Sequence, residues 1–231
     1  IDTINLRPTP RLAHTEYCSN RAIVRHIGEE KFEDWFQLDF VWRTNDGLIN
    51  WAENGRVTDM GHAVFQEDGS DKRETRHCPF ESAEEIRGFD AVEEYGMPDF
   101  DEQVRAYEEW YQNAQEGNDR TVVPGGYYKT LVSGAIQAFG WDMLLQAAAD
   151  REMFDNVLET IFRRSLFFYR AWAETSIEAF ICHDDMVWSE GAFMHPDFYR
   201  SAIFPRYKRL WAPLLEAGIK VLYFSDAIFT E

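Results

Sequence analysis

Two stretches constrain this fold most: residues 177–184 (IEAFICHD) and 219–225 (IKVLYFS). Each is a nearly unbroken apolar run that closes on polar residues and follows a long helical pattern. A strand covered on both faces reads this way, and such strands belong to parallel sheets joined by helices. Three further β-type runs precede them, at 11–17 (RLAHTEY), 37–43 (QLDFVWR) and 120–128 (RTVVPGGYY). Strand and helix alternate, which predicts an α/β fold on a parallel sheet. A run at 57–66, followed by Glu67-Asp68-Gly69-Ser70, predicts a hairpin arm.

The helices between the strands carry their own signals. Over 152–174, Phe154, Val157, Leu158, Ile161, Leu166, Tyr169 and Trp172 mostly keep helical spacing. Ser82 and Glu85 have the spacing of a capping box, and Asp99 with Glu102 starts a helix faced by Val104, Tyr107, Tyr111 and Ala114. Residues 140–149 read as a short buried helix. Another helix starts at Pro196, is kinked or restarted at Pro205 and ends near Gly218.

Charge and composition exclude several classes. The 23 basic and 41 acidic residues of the 231 leave a net charge of −18. Binding to nucleic acid or to an anionic membrane draws on Lys and Arg, so neither partner is expected. No run of 18 apolar residues offers a membrane span. Cys18, Cys78 and Cys182 form an odd, sparse set without CxxC, as in proteins of a reducing cytoplasm. No glycine-rich phosphate loop occurs, so no nucleotide is expected. Gly125-Gly126 reads as a close backbone approach. The chain begins IDTINLRPTPR, without Met or an apolar signal segment, and is read as one domain over 1–231, truncated at both ends.

In parallel α/β folds, chemistry gathers at the carboxyl ends of the strands. The polar residues there are His14 and Glu16; Arg43, Asn45 and Asp46; Tyr127, Tyr128 and Lys129; His183, Asp184 and Asp185; and Ser225 and Asp226. Carboxylates, an imidazole and an amine at one mouth can do acid–base work or hold a metal. Strand ends also meet water, which alone accounts for many polar residues. The HDD cluster stands out, because two carboxylates and an imidazole end a buried strand.

From this cluster onward, ICHDDMVWSEGAFMHPDFYRSAIFPRYKRLWAPLLEAGIKVLYFSDA resembles the uroporphyrinogen decarboxylase superfamily. The shared pattern is a strand ending in Asp, a Pro-acidic-x-aromatic helix start, Pro-Arg-Tyr-Lys, a Gly and a polar-ended strand. GGYYKTLVSG with FGWDMLL, and INLRPTPRLAHTEY, resemble its preceding elements. The resemblance implies a (β/α)8 TIM barrel, of which this chain holds about five strands, with three βα units beyond Glu231.

The superfamily has three branches. Porphyrinogen decarboxylases carry Met-Arg-Gln-Ala-Gly-Arg after the first strand. Here His14-Thr15-Glu16-Tyr17-Cys18 stands in its place, and the decarboxylase tyrosine falls near Gly134. The thiol-activating zinc methyltransferases carry His-x-Cys at the fifth strand, where this chain has Phe224 and Asp226. The O-demethylase methyltransferases look closest, through WAETSIEAFICHDDMVW, GGYYKTLVSG and SDxxxTE.

That resemblance implies methyl transfer from a methyl ether, aromatic or not, to the cobalamin of a separate corrinoid protein. A corrinoid-binding Asp-x-His-x-x-Gly is absent here. It also implies zinc, on a Glu-x14-Glu-x20-His pattern matched by Glu159, Glu174 and His195. On one helix the two glutamates would lie about 22 Å apart, so the triad requires a broken helix. The alternative ligands are Glu16, His183, Asp185 and Asp226 at the mouth. Lys129, His183, Asp185 and Asp226 are the candidate catalytic residues. Glu16, Tyr127, Tyr128 and Trp188 are the candidate substrate contacts, Trp188 by stacking on an aromatic ether. Two other readings stay open: a decarboxylase of the porphyrin route, and a non-catalytic barrel that binds an aromatic ligand.

Overall fold

The computed structural model describes residues 2–16, 21–44, 78, 80–127, 130–188 and 191–225. Its centre is a sheet of four parallel strands: β1 (Phe40–Thr44), β2 (Thr121–Tyr127), β3 (Ala179–His183) and β4 (Lys220–Phe224), adjacent in chain order. Four of the five expected strands are thus found, within a few residues of their expected bounds. Thr44, Gly125, Ile181 and Leu222 share one row across the sheet.

The fifth expected strand, at 11–17, is corrected: residues 11–16 form no strand. The segment lies along the start of β1 on mostly side-chain bonds. His14 N–H donates to Asp39 Oδ2 (2.7 Å) and Thr15 Oγ1 to the Phe40 carbonyl (2.8 Å), so no strand ladder develops. The hairpin arm expected at 57–66 lies outside the described residues.

Helices cross over between the strands. From β2 the chain passes through α1 (Val132–Phe139), α2 (Trp141–Ala148) and the long α3 (Arg151–Ala173). From β3 it passes a two-strand antiparallel ribbon (Val187–Trp188 with Gly191–Ala192) and the short helix Pro196–Phe198. A π-helical turn (Tyr199–Ile203) and α4 (Phe204–Glu216) then lead to β4. Pro205 explains the restart: it has no N–H to donate, and the backbone moves from π to α geometry at that point. Ser82 and Asp99 cap their helices as expected. Glu85 differs in one detail, since its carboxylate takes the N–H of Glu81 rather than that of Ser82.

The two faces of the sheet differ. One carries Val41, Val122, Phe180 and Cys182 into the main core beneath the helices. The other carries a small apolar cluster of Val123, Ala179 and Ile181, flanked by Phe40, Trp42, Leu222, Phe224 and Ile4. On that second face Trp42 of β1 stacks on Phe224 of β4, ring centres 5.3 Å apart. These residues sit on the two outer strands, four residues apart along the register. A flat sheet would separate their backbones by roughly 19 Å, from three strand gaps of about 4.8 Å and a rise of about 3.3 Å per residue. The sheet is therefore coiled, with the second face concave. Among the described residues it is an open sheet and does not close into a barrel.

Candidate functional site

At the carboxyl edge of the concave face, His183 and Asp185 meet. Strand geometry puts residues two apart on one side, so both face the concavity and Asp184 faces the helices. The His183 ring nitrogen Nε2 lies 3.0 Å from Asp185 Oδ1. The imidazole is 3% exposed and the carboxylate 14%. Trp42 stands edge-on to His183, ring centres 5.8 Å apart, with Phe224 stacked behind it. A paired imidazole and carboxylate can move a proton at a fixed point, here at the end of an apolar trough.

Asp184, named with its neighbours at this strand end, is the one of the three given no separate role there. It is fully buried. Its Oδ1 accepts from Ser133 N–H (2.5 Å) and Thr130 Oγ1 (3.1 Å). Its Oδ2 accepts from Val132 N–H (3.1 Å) and from the Tyr207 hydroxyl. Burial pushes its carboxyl up from the usual range, and the bonds from Tyr207, Ser133 and Val132 pull it back. Burial and the Asp184 charge push the Tyr207 hydroxyl well up, which keeps it a donor. Beside it the Tyr169 hydroxyl donates to Cys182 Sγ (3.2 Å), a thiol that burial pushes up to about 12. Strand parity was the signal for Asp184: an acid flanked by two inward-facing residues must point at the helices.

Glu16 is exposed and pairs with His14 (3.0 Å). Tyr127 ends β2 in the row of His183, and Trp188 ends the first ribbon strand; only their backbones are described. Tyr128, Lys129 and Asp226, with Asn45 and Asp46, lie outside the described residues.

The structure does not bring Glu159, Glu174 and His195 together as one group. α3 runs unbroken from Arg151 to Ala173, with Glu159 in its first half and Glu174 as its C-cap, so the two carboxylates stay about 22 Å apart. Glu159 is bound instead to Arg206 (3.0 Å) and Arg209 (3.1 Å). Exposed His195 caps its own helix, Nδ1 accepting from Asp197 N–H (3.2 Å). Among the described residues, no three His, Cys, Asp or Glu side chains form a metal cluster. The mouth set retains a matched pair. The 3.0 Å between His183 Nε2 and Asp185 Oδ1 is near the ~3.3 Å expected of two donors sharing a tetrahedral zinc at about 2 Å.

No protein-family model matches the chain, and no curated protein matches it significantly. Among solved structures, a methyltransferase from Methanosarcina mazei superposes with a TM-score of 0.59, at 12% identity, over 99% of this chain and 68% of that one. The likeness is one of fold. It spans nearly the whole chain, so the parallel sheet and its crossover helices match as a set. Among the described residues, no helix is long and apolar enough to cross a membrane.

Proposed function

We propose that this chain is a methyltransferase of the uroporphyrinogen decarboxylase superfamily. It would move a methyl group from a methyl ether to the cobalamin of a separate corrinoid protein. The observation that carries this reading is the His183–Asp185 pair, buried at the carboxyl edge of a concave, apolar sheet face. The fold likeness to a methyltransferase supports it by analogy of fold. The coiling of the sheet supports its continuation into a closed barrel, whose interior would be this concave face.

An ether oxygen leaves poorly as an anion, so the site must deliver a proton or equivalent charge. In the proposed step the acceptor's electron pair forms the new bond to the methyl carbon. The C–O bond breaks, and its electron pair stays on oxygen. The proton held between His183 Nε2 and Asp185 Oδ1 passes to that oxygen from the more exposed carboxylate end, so an alcohol or phenol departs. Asp185 holds the imidazole in one orientation and balances its charge before the transfer. Trp42 and Phe224, partly exposed over the buried Val123 and Ile181, would keep water from this end of the face and pack against the apolar part of the ether. If zinc were held there instead, by His183 and Asp185 with Glu16 and Asp226 as further candidate ligands, it would take the place of the proton and supply Lewis acidity at that oxygen.

The test is anaerobic methyl transfer from a panel of methoxybenzoates and aliphatic methyl ethers to added cob(I)alamin, read by the cobalamin spectrum and the released hydroxyl product. Transfer that fails in His183→Gln supports the reading. No transfer from any donor, or conversion of uroporphyrinogen to coproporphyrinogen instead, overturns it.

A further inference from the structure

The turn after β3 is bolted from several sides, and Asp184 is its centre. Asp184 N–H donates to the Phe224 carbonyl of β4 (3.2 Å), and the Tyr223 hydroxyl donates to the Asp184 carbonyl (2.8 Å). The Tyr199 hydroxyl donates to the Met186 carbonyl (2.6 Å). The Asp184 carboxylate takes the N–H groups of Val132 and Ser133 in the first turn of α1. Ser133 returns the contact, its hydroxyl oxygen accepting from the Asp185 N–H (2.8 Å). Two adjacent residues of the turn are thus tied to one serine, Asp184 by its side chain and Asp185 by its backbone.

We propose that Asp184 is a positioning residue: its carboxylate fixes the first turn of α1, and through the Ser133 hydroxyl it sets the backbone of Asp185 and so the His183–Asp185 pair. A carboxylate suits the task. It is acceptor-only, with two oxygens for four donors, and the donors come from α1, α4 and Thr130, two residues before α1. The positive end of the α1 dipole favours the same charge. Asparagine would keep the shape and one acceptor oxygen; the Thr130 or Tyr207 hydroxyl can turn to accept from its amide, while the Ser133 or Val132 N–H on that side loses its acceptor. Alanine would leave all four donors without a partner.

The inference rests on the methyl-transfer reading for its kinetic arm only. The test compares Asp184→Asn, Asp184→Ala and Ser133→Ala with the parent, all as full chains. It measures amide hydrogen exchange by NMR and kcat and KM for transfer from a methoxybenzoate to cob(I)alamin. Ser133→Ala should speed exchange of the Asp185 amide by about tenfold or more while amides within α3 keep their protection. It should also lower kcat by about tenfold, with KM within about threefold. Asp184→Ala should lower kcat by about a hundredfold, since small misplacement of a reacting group costs on that scale. Asp184→Asn should recover part of it, since it keeps one of the two α1 N–H acceptors. If the parent shows no methyl transfer, the reading of function fails while the exchange arm still decides the positioning role. If Asp184→Ala does not fold, Ser133→Ala carries the test, because it spares the buried carboxylate. A folded Ser133→Ala with unchanged Asp185 exchange overturns the proposal, and so does an Asp184→Asn no better than a folded Asp184→Ala.

Discussion

Trp42 and Phe224 stack at 5.3 Å although they stand on the first and last strands of the sheet. The contact spans the concave face and links its two edges, so each ring reports on the curvature that the other needs. Truncating either to alanine should cost about 2–4 kcal/mol, somewhat under the value for a fully buried ring. The double variant should cost less than the sum, by about 0.5–1.5 kcal/mol, as for stacked aromatic pairs. Urea unfolding of the four proteins gives the coupling. Strict additivity would mean that the edges are held at their distance by something other than this stack.

His183 and Asp185 act as a pair, and removing either partner should affect turnover more than folding. His183→Gln keeps a polar side chain but moves no proton. It should lower methyl-transfer kcat by about 10² to 10⁴, the usual contribution of a positioned acid or base. Asp185→Asn keeps the hydrogen bond without the charge and should cost less. Steady-state kinetics beside thermal melts separates the two effects. A His183→Gln protein with full activity would take the proton transfer away from this residue.

Much of this was legible in the chain. Residues 177–184 and 219–225 announce doubly covered strands because their apolar runs leave no polar face. Pro205 marks the helix restart because a missing N–H has only a few structural solutions. The miss at 11–17 has an equally local cause. His14 and Thr15 look like strand residues, yet after one backbone bond, from the Asp39 N–H to the His14 carbonyl, their bonds go to the Asp39 carboxylate and, through a hydroxyl, to the Phe40 carbonyl. The site was half legible. The sequence collects His183, Asp184 and Asp185 at one strand end, and parity separates the buried acid from the two inward groups. The partners of Glu159 were not legible, because spacing along the chain carries no information on which helix packs beside it. Its partner Arg206 is 47 residues away and meets it only where α3 and α4 touch.

Gly126 tests the packing on the helix side of β2. A Cβ at this position would lie 3.0 Å from Phe180 Cζ and 3.1 Å from the Tyr169 hydroxyl. Both belong to buried aromatic side chains, and the Tyr169 hydroxyl is further held by its bond to Cys182. Gly126→Ala should therefore destabilise the fold by about 1–3 kcal/mol, as overpacking of a dense core does. Ser165 on α3 is equally buried but faces no such limit, and Ser165→Ala, which removes an unpartnered hydroxyl, should be neutral or stabilising. Parallel melts of the two variants check the contrast.

Asp39 ties the amino-terminal segment to the sheet, and its protonation should show in acid. The backbone N–H of His14 and the Arg11 guanidinium hold its carboxyl below the usual range, with burial opposing them. A carboxyl lowered in the folded state adds stability that is present above its unfolded value, near 3.8. That stability is lost as pH falls through the lowered value. The parent should therefore lose more stability than Asp39→Asn between about pH 5 and pH 2. Melts across this range give the difference, and parallel curves would mean that the N-terminal contact leaves no imprint on stability.

Arg206 separates a structural role for Glu159 from a metal-binding one. Its guanidinium, 8% exposed, donates to Asp155 Oδ1 (2.8 Å), the Asp155 carbonyl (3.1 Å), Glu159 Oε2 (3.0 Å) and the Ala202 carbonyl (2.8 Å). The Ala202 carbonyl lies in the π-helical turn before Pro205, where backbone donors are short. Both carboxylates are partly exposed, so solvent screens the charge term and the hydrogen bonds carry most of the effect. Arg206→Ala should cost about 2–3 kcal/mol, chiefly by leaving buried acceptors without donors. Arg206→Lys should recover only part of this, because one ammonium cannot serve a fork of four acceptors. Glu159→Gln should cost about 1 kcal/mol, since Arg206 keeps its other partners. It should leave the zinc content of the purified protein unchanged, as should Glu174→Gln and His195→Ala. Elemental analysis beside urea unfolding reads both quantities. Zinc lost together with Glu159, without loss of stability, would return the metal to α3 and require that helix to break.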